Sequence, residues 1–204
     1  MNGPVPVLRT ERLVLRGFTP EDFEPFAAIV SDPEVVRYLD DGAPISRDDC
    51  WRGMALFIGH WTLRGYGWWA VEDRRTGDFL GRIGLYNPEG WPGVELGWLL
   101  RRDAWGAGLA TEGATAALSF SFDVIGADHV ISLIDPSNTR SIRVAEKIGE
   151  HPIGNLDHFG KAVAVYRIDC CDAKTPASPR HGHRDGPVGG LSRPAYSGHD
   201  ESQG

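Results

Sequence analysis

The stretch best suited to chemistry runs Leu99-Leu100-Arg101-Arg102-Asp103-Ala104-Trp105-Gly106-Ala107-Gly108-Leu109-Ala110-Thr111-Glu112. Its start reads as the end of a strand and its finish as the first turn of a helix. Gly106 and Gly108 carry no side chain where the backbone must turn. Several N–H groups can therefore converge at the positive end of a helix dipole, which makes an anion site. The same glycines also suit a tight turn that needs them for its dihedrals alone. Two phosphate motifs do not fit. A dinucleotide fingerprint would need a third glycine where Thr111 stands, and it would follow the first strand of its fold. No Gly-Lys-Ser/Thr is present, so this is no P-loop. The chain has no Gly-x-Ser-x-Gly elbow, and His60, His129, His151 and His158 form neither a triad nor a ligand spacing. His181 and His183 have no further ligand nearby, so no metal is expected.

The elements that must position this loop can be read from periodicity. Leu13–Arg16 reads as a strand. Thr19 caps a helix with Pro20 at its first position and Asp22 closing a capping box; Phe23, Phe26, Ala27 and Val30 share its apolar face. A short helical turn follows at Asp32-Pro33-Glu34. Ser46 then caps a long helix on which Trp51, Met54, Ala55, Ile58 and Trp61 recur at helical spacing, predicting them as core. Trp68–Glu72 and Phe79–Tyr86 flank an Arg-Arg-Thr-Gly turn and read as a hairpin, with Val94–Leu100 as the next strand. Trp68 and Trp69, adjacent on a strand, must face opposite sides. After the loop comes a helix with Leu109, Gly113, Ala116, Ala117, Phe120 and Val124 on one face. A buried strand at Val130–Ile134, a helix over Asn138–Lys147 and a final strand at Val163–Ile168 complete the series. A mixed sheet with helices on both faces is the economical architecture.

The 204 residues are 41% hydrophobic and 24% charged, ordinary for a globular chain. Residues 1–171 read as one domain. Residues 172–204 hold ten Gly or Pro and few large apolar side chains, and are expected to be a disordered tail. That tail has four basic and four acidic residues, so the whole net charge of −7 belongs to the domain. A negative domain is a poor partner for a phosphate backbone, which excludes nucleic acid from the expected partners and leaves cationic amines. No apolar run is long enough to span a membrane, and the N-terminus lacks a basic segment followed by an apolar one, so a cytoplasmic location is expected. Cys50, Cys170 and Cys171 make neither a disulfide framework nor a zinc spacing.

Three blocks carry a resemblance to a known family. Val94-Glu95-Leu96-Gly97-Trp98-Leu99, with Ala104-Trp105-Gly106-Ala107-Gly108-Leu109-Ala110-Thr111-Glu112, resembles the acyl-CoA-binding core of the GNAT N-acetyltransferases. Asn138-Thr139-Arg140-Ser141-Ile142-Arg143-Val144-Ala145-Glu146-Lys147-Ile148-Gly149 resembles that family's Asn-x-x-Ser…Glu-Lys-x-Gly helix. Leu8-Arg9-Thr10-Glu11-Arg12-Leu13-Val14-Leu15-Arg16 resembles its first strand. The branch most resembled is that of the RimJ/RimL-like ribosomal-protein N-terminal acetyltransferases, over about residues 8–168.

The resemblance implies a GNAT fold, with a mixed, mostly antiparallel central sheet flanked by helices, and acetyl-CoA as co-substrate. The backbone from Arg102 to Gly108 would hold its pyrophosphate, with Arg101 and Arg102 adding charge or standing as solvated surface residues. Trp105, Ala107, Leu109, Ala110, Thr111 and Lys147 complete that implied site. The pantetheine arm would lie along Leu99 and Leu100, and Asn138 would hydrogen-bond it, cap its own helix, or do both. Glu95 occupies the position of the family's strand glutamate, either as general base or as a carboxylate that only attracts the substrate. Many relatives supply a tyrosine acid where Ala145 stands here; Ser141 is the remaining hydroxyl, alternatively an ordinary first-turn residue. Glu150 stands where an aromatic residue is usual. The implied acceptor is a protein N-terminal amine, with a polyamine or aminoglycoside-type small amine as the alternative within the same chemistry. A non-catalytic acyl-CoA sensor is the alternative outside it. Dimers are common among relatives.

Overall fold

A computed structural model describes residues 4–39, 41–158 and 160–173. The chain order is β1 (Leu8–Arg9), β2 (Leu13–Arg16), α1 (Phe23–Val30), α2 (Pro33–Val36), α3 (Arg47–Arg64), β3 (Trp68–Asp73), β4 (Phe79–Tyr86), β5 (Glu95–Leu100), α4 (Leu109–Phe120), β6 (His129–Ile134), α5 (Thr139–Lys147), β7 (His151–His158), β8 (Lys161–Asp169) and α6 (Cys170–Ala173). The eight strands form one sheet in the order β1-β2-β3-β4-β5-β6-β8-β7. Every neighbouring pair is antiparallel except β5 and β6. That fold class matches the expectation. The expected tail from residue 174 onward, with His181 and His183, lies outside the described residues.

Alternation along the strands builds two cores. Leu13, Leu15, Trp69, Val71, Ile83, Leu85, Leu96 and Leu100 turn one face toward Ala114, Ala117 and Leu118 of α4. Trp69 is fully buried, edge-on to Trp61 at 4.9 Å and to Phe120 at 5.1 Å, and its Nε1 donates to the Pro6 carbonyl. Trp68, Ala70, Phe79 and Leu99 turn the other face toward Phe26, Val30, Met54 and Phe57 of α1 and α3. The two adjacent tryptophans therefore face opposite sides, as predicted. Thr19 and Asp22 form the expected capping box, and the Ser46 side chain accepts from Asp49 N at the start of α3.

Several expectations need correcting. On α3 the buried residues are Cys50, Met54, Phe57, His60 and Trp61. Trp51, Ala55 and Ile58 share the helical spacing but are exposed, Trp51 by 61% and Ile58 by 50%, because the stripe that meets the sheet is set by Met54 and Phe57. Val124 is also exposed: after Phe120 the backbone widens into a π turn over Ser121–Ile125, which breaks the face the spacing predicts. The sheet has two strands beyond those expected. β1 is short, and β7 is an edge strand whose residues His151–Asn155 are all exposed, so it carries no apolar alternation to betray it.

Candidate active site

The parallel neighbours β5 and β6 share a single register pair, Glu95 with Ile131, supported by Ile131 N–H donating to the Val94 carbonyl at 3.0 Å. Beyond that pair the strands part. β6 turns its edge to β8 from His129 through Ile134, while β5 stays paired with β4 along its whole length. A cleft of about 1500 Å³ follows the opening from one face of the sheet to the other.

At one end of the cleft lies the glycine loop. Arg101 N–H donates to the Leu80 carbonyl, Arg102–Ala104 make one 3-10 turn, and Trp105 Nε1 donates to the Leu100 carbonyl at 2.8 Å. Gly106 and Gly108 then take φ of 77° and 80°, the left-handed region where a Cβ is strained. A Cβ at Gly106 would meet nothing within 4 Å, so dihedral demand explains that glycine and the space above it stays open. Glu112 N–H is the one that closes the first helical turn, onto the Gly108 carbonyl at 3.1 Å. The N–H groups just before it point out of the helix N-terminus.

The loop is held from behind. Arg12 Nη1 donates to the Ala107 carbonyl at 2.8 Å, and Arg12 Nε donates to Glu112 Oε2 at 2.6 Å. Glu112 Oε1 accepts from the Arg12 N–H and from Thr10 Oγ1. The short β1–β2 turn thus fixes the first turn of α4, a contact no local motif announces.

The cleft brings most of the expected site residues together: Glu95, Leu99, Leu100, Trp105, Gly106, Gly108, Leu109, Ala110, Thr111, Asn138, Ser141 and Lys147 all line it. Arg101 and Arg102 instead line a separate hollow beneath α1, and Arg101 is paired with Asp103 at 2.7 Å. The cations at this end of the cleft are Arg140, Arg143 and Lys147, with the Arg140 guanidinium stacked 4.5 Å over the Trp105 ring. Asn138 caps α5, its Oδ1 accepting from Ser141 N–H at 3.2 Å. Ser141 Oγ accepts from Trp98 Nε1 at 3.3 Å, which leaves the hydroxyl proton to point elsewhere. Ala145 is fully buried against Ile134 and Tyr166, so α5 offers no acid there.

The other end is aromatic. Trp68 lies across the sheet, and a Cβ at Gly97 would run into its ring; glycine on β5 is what lets the indole pass. The Arg82 guanidinium stacks 3.9 Å over that indole and 5.0 Å from the Phe57 ring. Tyr86, Trp91 and His158 make a further edge-on series. Between the two ends stands Glu95, its Oε2 accepting from Trp91 Nε1 at 2.7 Å. Burial pushes its carboxyl up to about 7, against the pull of the Trp91 hydrogen bond, the Arg82 charge and the Leu133 N–H. A carboxyl poised there can exchange a proton near neutrality. Trp91 escaped the sequence reading because it stands in the loop between β4 and β5, and Arg82 because it acts on Glu95 from the neighbouring strand β4.

Asp41 lines the aromatic end with Glu34 and Asp49, whereas Asp40 lies outside the described residues. His60 is structural: its Nδ1 meets the Tyr66 carbonyl at 2.7 Å, Nε2 accepts from Asn87 N–H, and burial lowers its pKa. Among the described residues no helix is long and apolar enough to cross a membrane.

A family profile described as Acetyltransferase (GNAT) domain matches residues 12–151. The chain is 35% identical over 167 residues to the uncharacterized protein YkkB of Bacillus subtilis (strain 168), covering 78% of this chain and 93% of that protein. It is 28% identical over 157 residues to the uncharacterized N-acetyltransferase p20 of Bacillus licheniformis, covering 76% and 88%. Among solved structures, an acetyltransferase from Agrobacterium tumefaciens str. C58 superposes with a TM-score of 0.73 at 29% identity, over 82% of this chain and 96% of that one.

Proposed function

Since the chain belongs to the acetyltransferase (GNAT) family and is an acetyl-CoA-dependent N-acetyltransferase, we propose that its acceptor is the primary amine of a protein N-terminus and that Glu95 is the base. The observation that supports Glu95 as the base is its carboxyl, raised to about 7 at the point where β5 and β6 part. A primary amine must be neutral to attack a thioester, yet near pH 7 it is mostly protonated. Glu95 takes that proton and frees the nitrogen lone pair, the nitrogen bonds to the acetyl carbon, and the carbon–sulfur bond breaks as the nitrogen's second proton passes to the departing sulfur, giving the amide and the coenzyme A thiol.

The glycine loop, the N-terminus of α4 and the cations Arg140, Arg143 and Lys147 suit the phosphates of acetyl-CoA. Its arm lies along the free edge of β5 beside Leu99 and Leu100, within reach of Asn138. Arg101 and Arg102 act on the phosphates only through longer-range charge, because their side chains line the other hollow. Ser141, on the cleft wall at the start of α5, supplies a hydroxyl for the departing sulfur. A coenzyme A thiol is acidic enough near neutral pH to leave with little help, so Ala145 is compatible with turnover.

The RimJ/RimL resemblance of the loop and the α5 block supports the N-terminal acceptor. A small polycationic amine is the second reading, favoured by the carboxylates of Glu34, Asp41 and Asp49 around the acceptor end. The test is free-thiol release from acetyl-CoA against peptides of varied N-terminal residue, polyamines and aminoglycosides. Release drawn by peptides supports the first reading, and release drawn only by polyamines or aminoglycosides replaces it with the second. Silence across a wide acceptor and acyl-donor screen contradicts both.

A further inference from the structure

Directly behind the point where β5 and β6 part, a second carboxyl is locked inside the protein. Glu150, at the entry to β7, is 3% exposed and Ser132 of β6 is 2% exposed. Strand alternation places Ser132 on the face opposite Glu95, because Glu95 pairs with Ile131. Ser132 Oγ lies 2.7 Å from the Leu96 carbonyl oxygen and 2.9 Å from Glu150 Oε1. A hydroxyl has one proton and can donate to only one of those two oxygens. The Leu96 carbonyl has no proton to offer, so with an ionised Glu150 one of these short oxygen–oxygen contacts would hold no hydrogen at all.

We infer that Glu150 is held as a neutral carboxylic acid that donates to Ser132, so that Ser132 in turn donates to the Leu96 carbonyl and sets the width of the seam into which the acetyl-CoA arm enters. Glu150 is therefore a positioning residue. This rests on the reading that the seam takes the coenzyme arm.

The surroundings agree. Glu150 Oε2 has no hydrogen-bond partner among the described residues, tolerable for the carbonyl oxygen of an acid and costly for half of a carboxylate. From β6 Glu150 meets the Ser132 hydroxyl, and its own N–H donates to the Ala145 carbonyl of α5. The charged group that acts on it is the Glu95 carboxylate of β5, and the groups shifting its titration include no cation. Burial, reinforced by Glu95, outweighs what a Ser132 hydroxyl donated to the anion would recover, and raises its carboxyl to about 8. The seam is otherwise weakly tied. Among the described residues, the Ser132 bridge to Leu96 spans it on this face, beside the one backbone pair and the Leu133 N–H on Glu95 at the other face.

The test is titration of the full chain with desulfo-coenzyme A, which has no thiol to ionise, at pH 7 and pH 9. Wild type should bind several-fold more weakly at pH 9. Glu150→Gln, whose amide donates to Ser132 at either pH, should bind like wild type at pH 7 and keep that affinity at pH 9. Ser132→Ala should bind weakly at both. Equal affinity of wild type at the two pH values, or the same fall in Glu150→Gln, would overturn the positioning role. A second readout, the melting temperature without ligand, separates this from a failure of the acetyl-CoA reading. The folded pKa lies above the ordinary 4.5, so the stabilisation is complete below about 4.5 and is lost as pH rises through about 8. Melting should fall with pH more steeply in wild type than in Glu150→Gln. Parallel slopes would refute the neutral acid even if the coenzyme binds.

Discussion

Glu95 and Glu150 flank the same seam between β5 and β6, and burial raises both carboxyls, yet their surroundings differ in kind. Glu95 opens onto the cleft, beside the Arg82 charge and the donors Trp91 Nε1 and Leu133 N–H, all of which favour its ionised form. Glu150 is closed off, meets the Ser132 hydroxyl, and is disfavoured as an anion by Glu95 itself. One environment suits a group that must gain and lose a proton during each turnover. The other suits a group that must keep its proton. Burial alone assigns neither role, and the donors and charges around each carboxyl do.

The sharpest way to break this contrast is to neutralise the open side. Glu95→Gln should lower kcat by about 10²-fold or more, the usual worth of a positioned base. Its affinity for coenzyme A should hold, and its melting temperature should stay level or rise, because a costly buried carboxyl is gone. A kcat within a few-fold of wild type would leave Glu95 as a substrate attractor only. On the closed side, Ser132→Ala strips the donor from the Leu96 carbonyl and the acceptor from Glu150. Denaturant unfolding should show a loss of about 1–3 kcal/mol, with KM for acetyl-CoA rising more than kcat falls.

The glycine loop sits further from the contrast and should respond less in stability than in binding. Gly108→Val places a β-branched residue at φ 80°, a strain of about 1–2 kcal/mol. Titration should show coenzyme A affinity falling about tenfold with little change in a single-turnover rate at saturation. The smallest effect belongs to Trp51→Ala on the exposed side of α3, expected within about 0.5 kcal/mol of wild type by the same unfolding measurement. A large loss there would mean that this face of α3 is covered in solution.

Much of the fold was legible because local chemistry and burial agreed. Thr19, Ser46 and Asn138 begin their elements where caps are expected, and the strands between Trp68 and Leu100 are almost continuously apolar because the sheet is covered on both faces. Strand β7 was not legible, since an exposed edge imposes no apolar pattern. On α3, Trp51 and Ile58 fit the helical period as well as Met54 does, and only the packing decides which stripe is buried. Within the site, Glu95, the glycine loop and Asn138 lie in contiguous blocks and could be read. Trp91, Arg82, Ser132 and Glu150 act through contacts between separate strands and loops. Glu150 stood out in the sequence only as a charge where an aromatic residue is usual, and its meaning depends on a serine 18 positions away.

The most direct test of the account is the pH dependence of kcat/KM for the acceptor amine, in wild type and in Glu95→Gln. If Glu95 is the base, the wild-type value, corrected for the amine's own ionisation, should rise about tenfold per pH unit below about 7 and level off above it. Glu95→Gln should lack that bend. A wild-type profile with no bend near 7, or a Glu95→Gln profile that keeps it, would place the proton acceptor on another group.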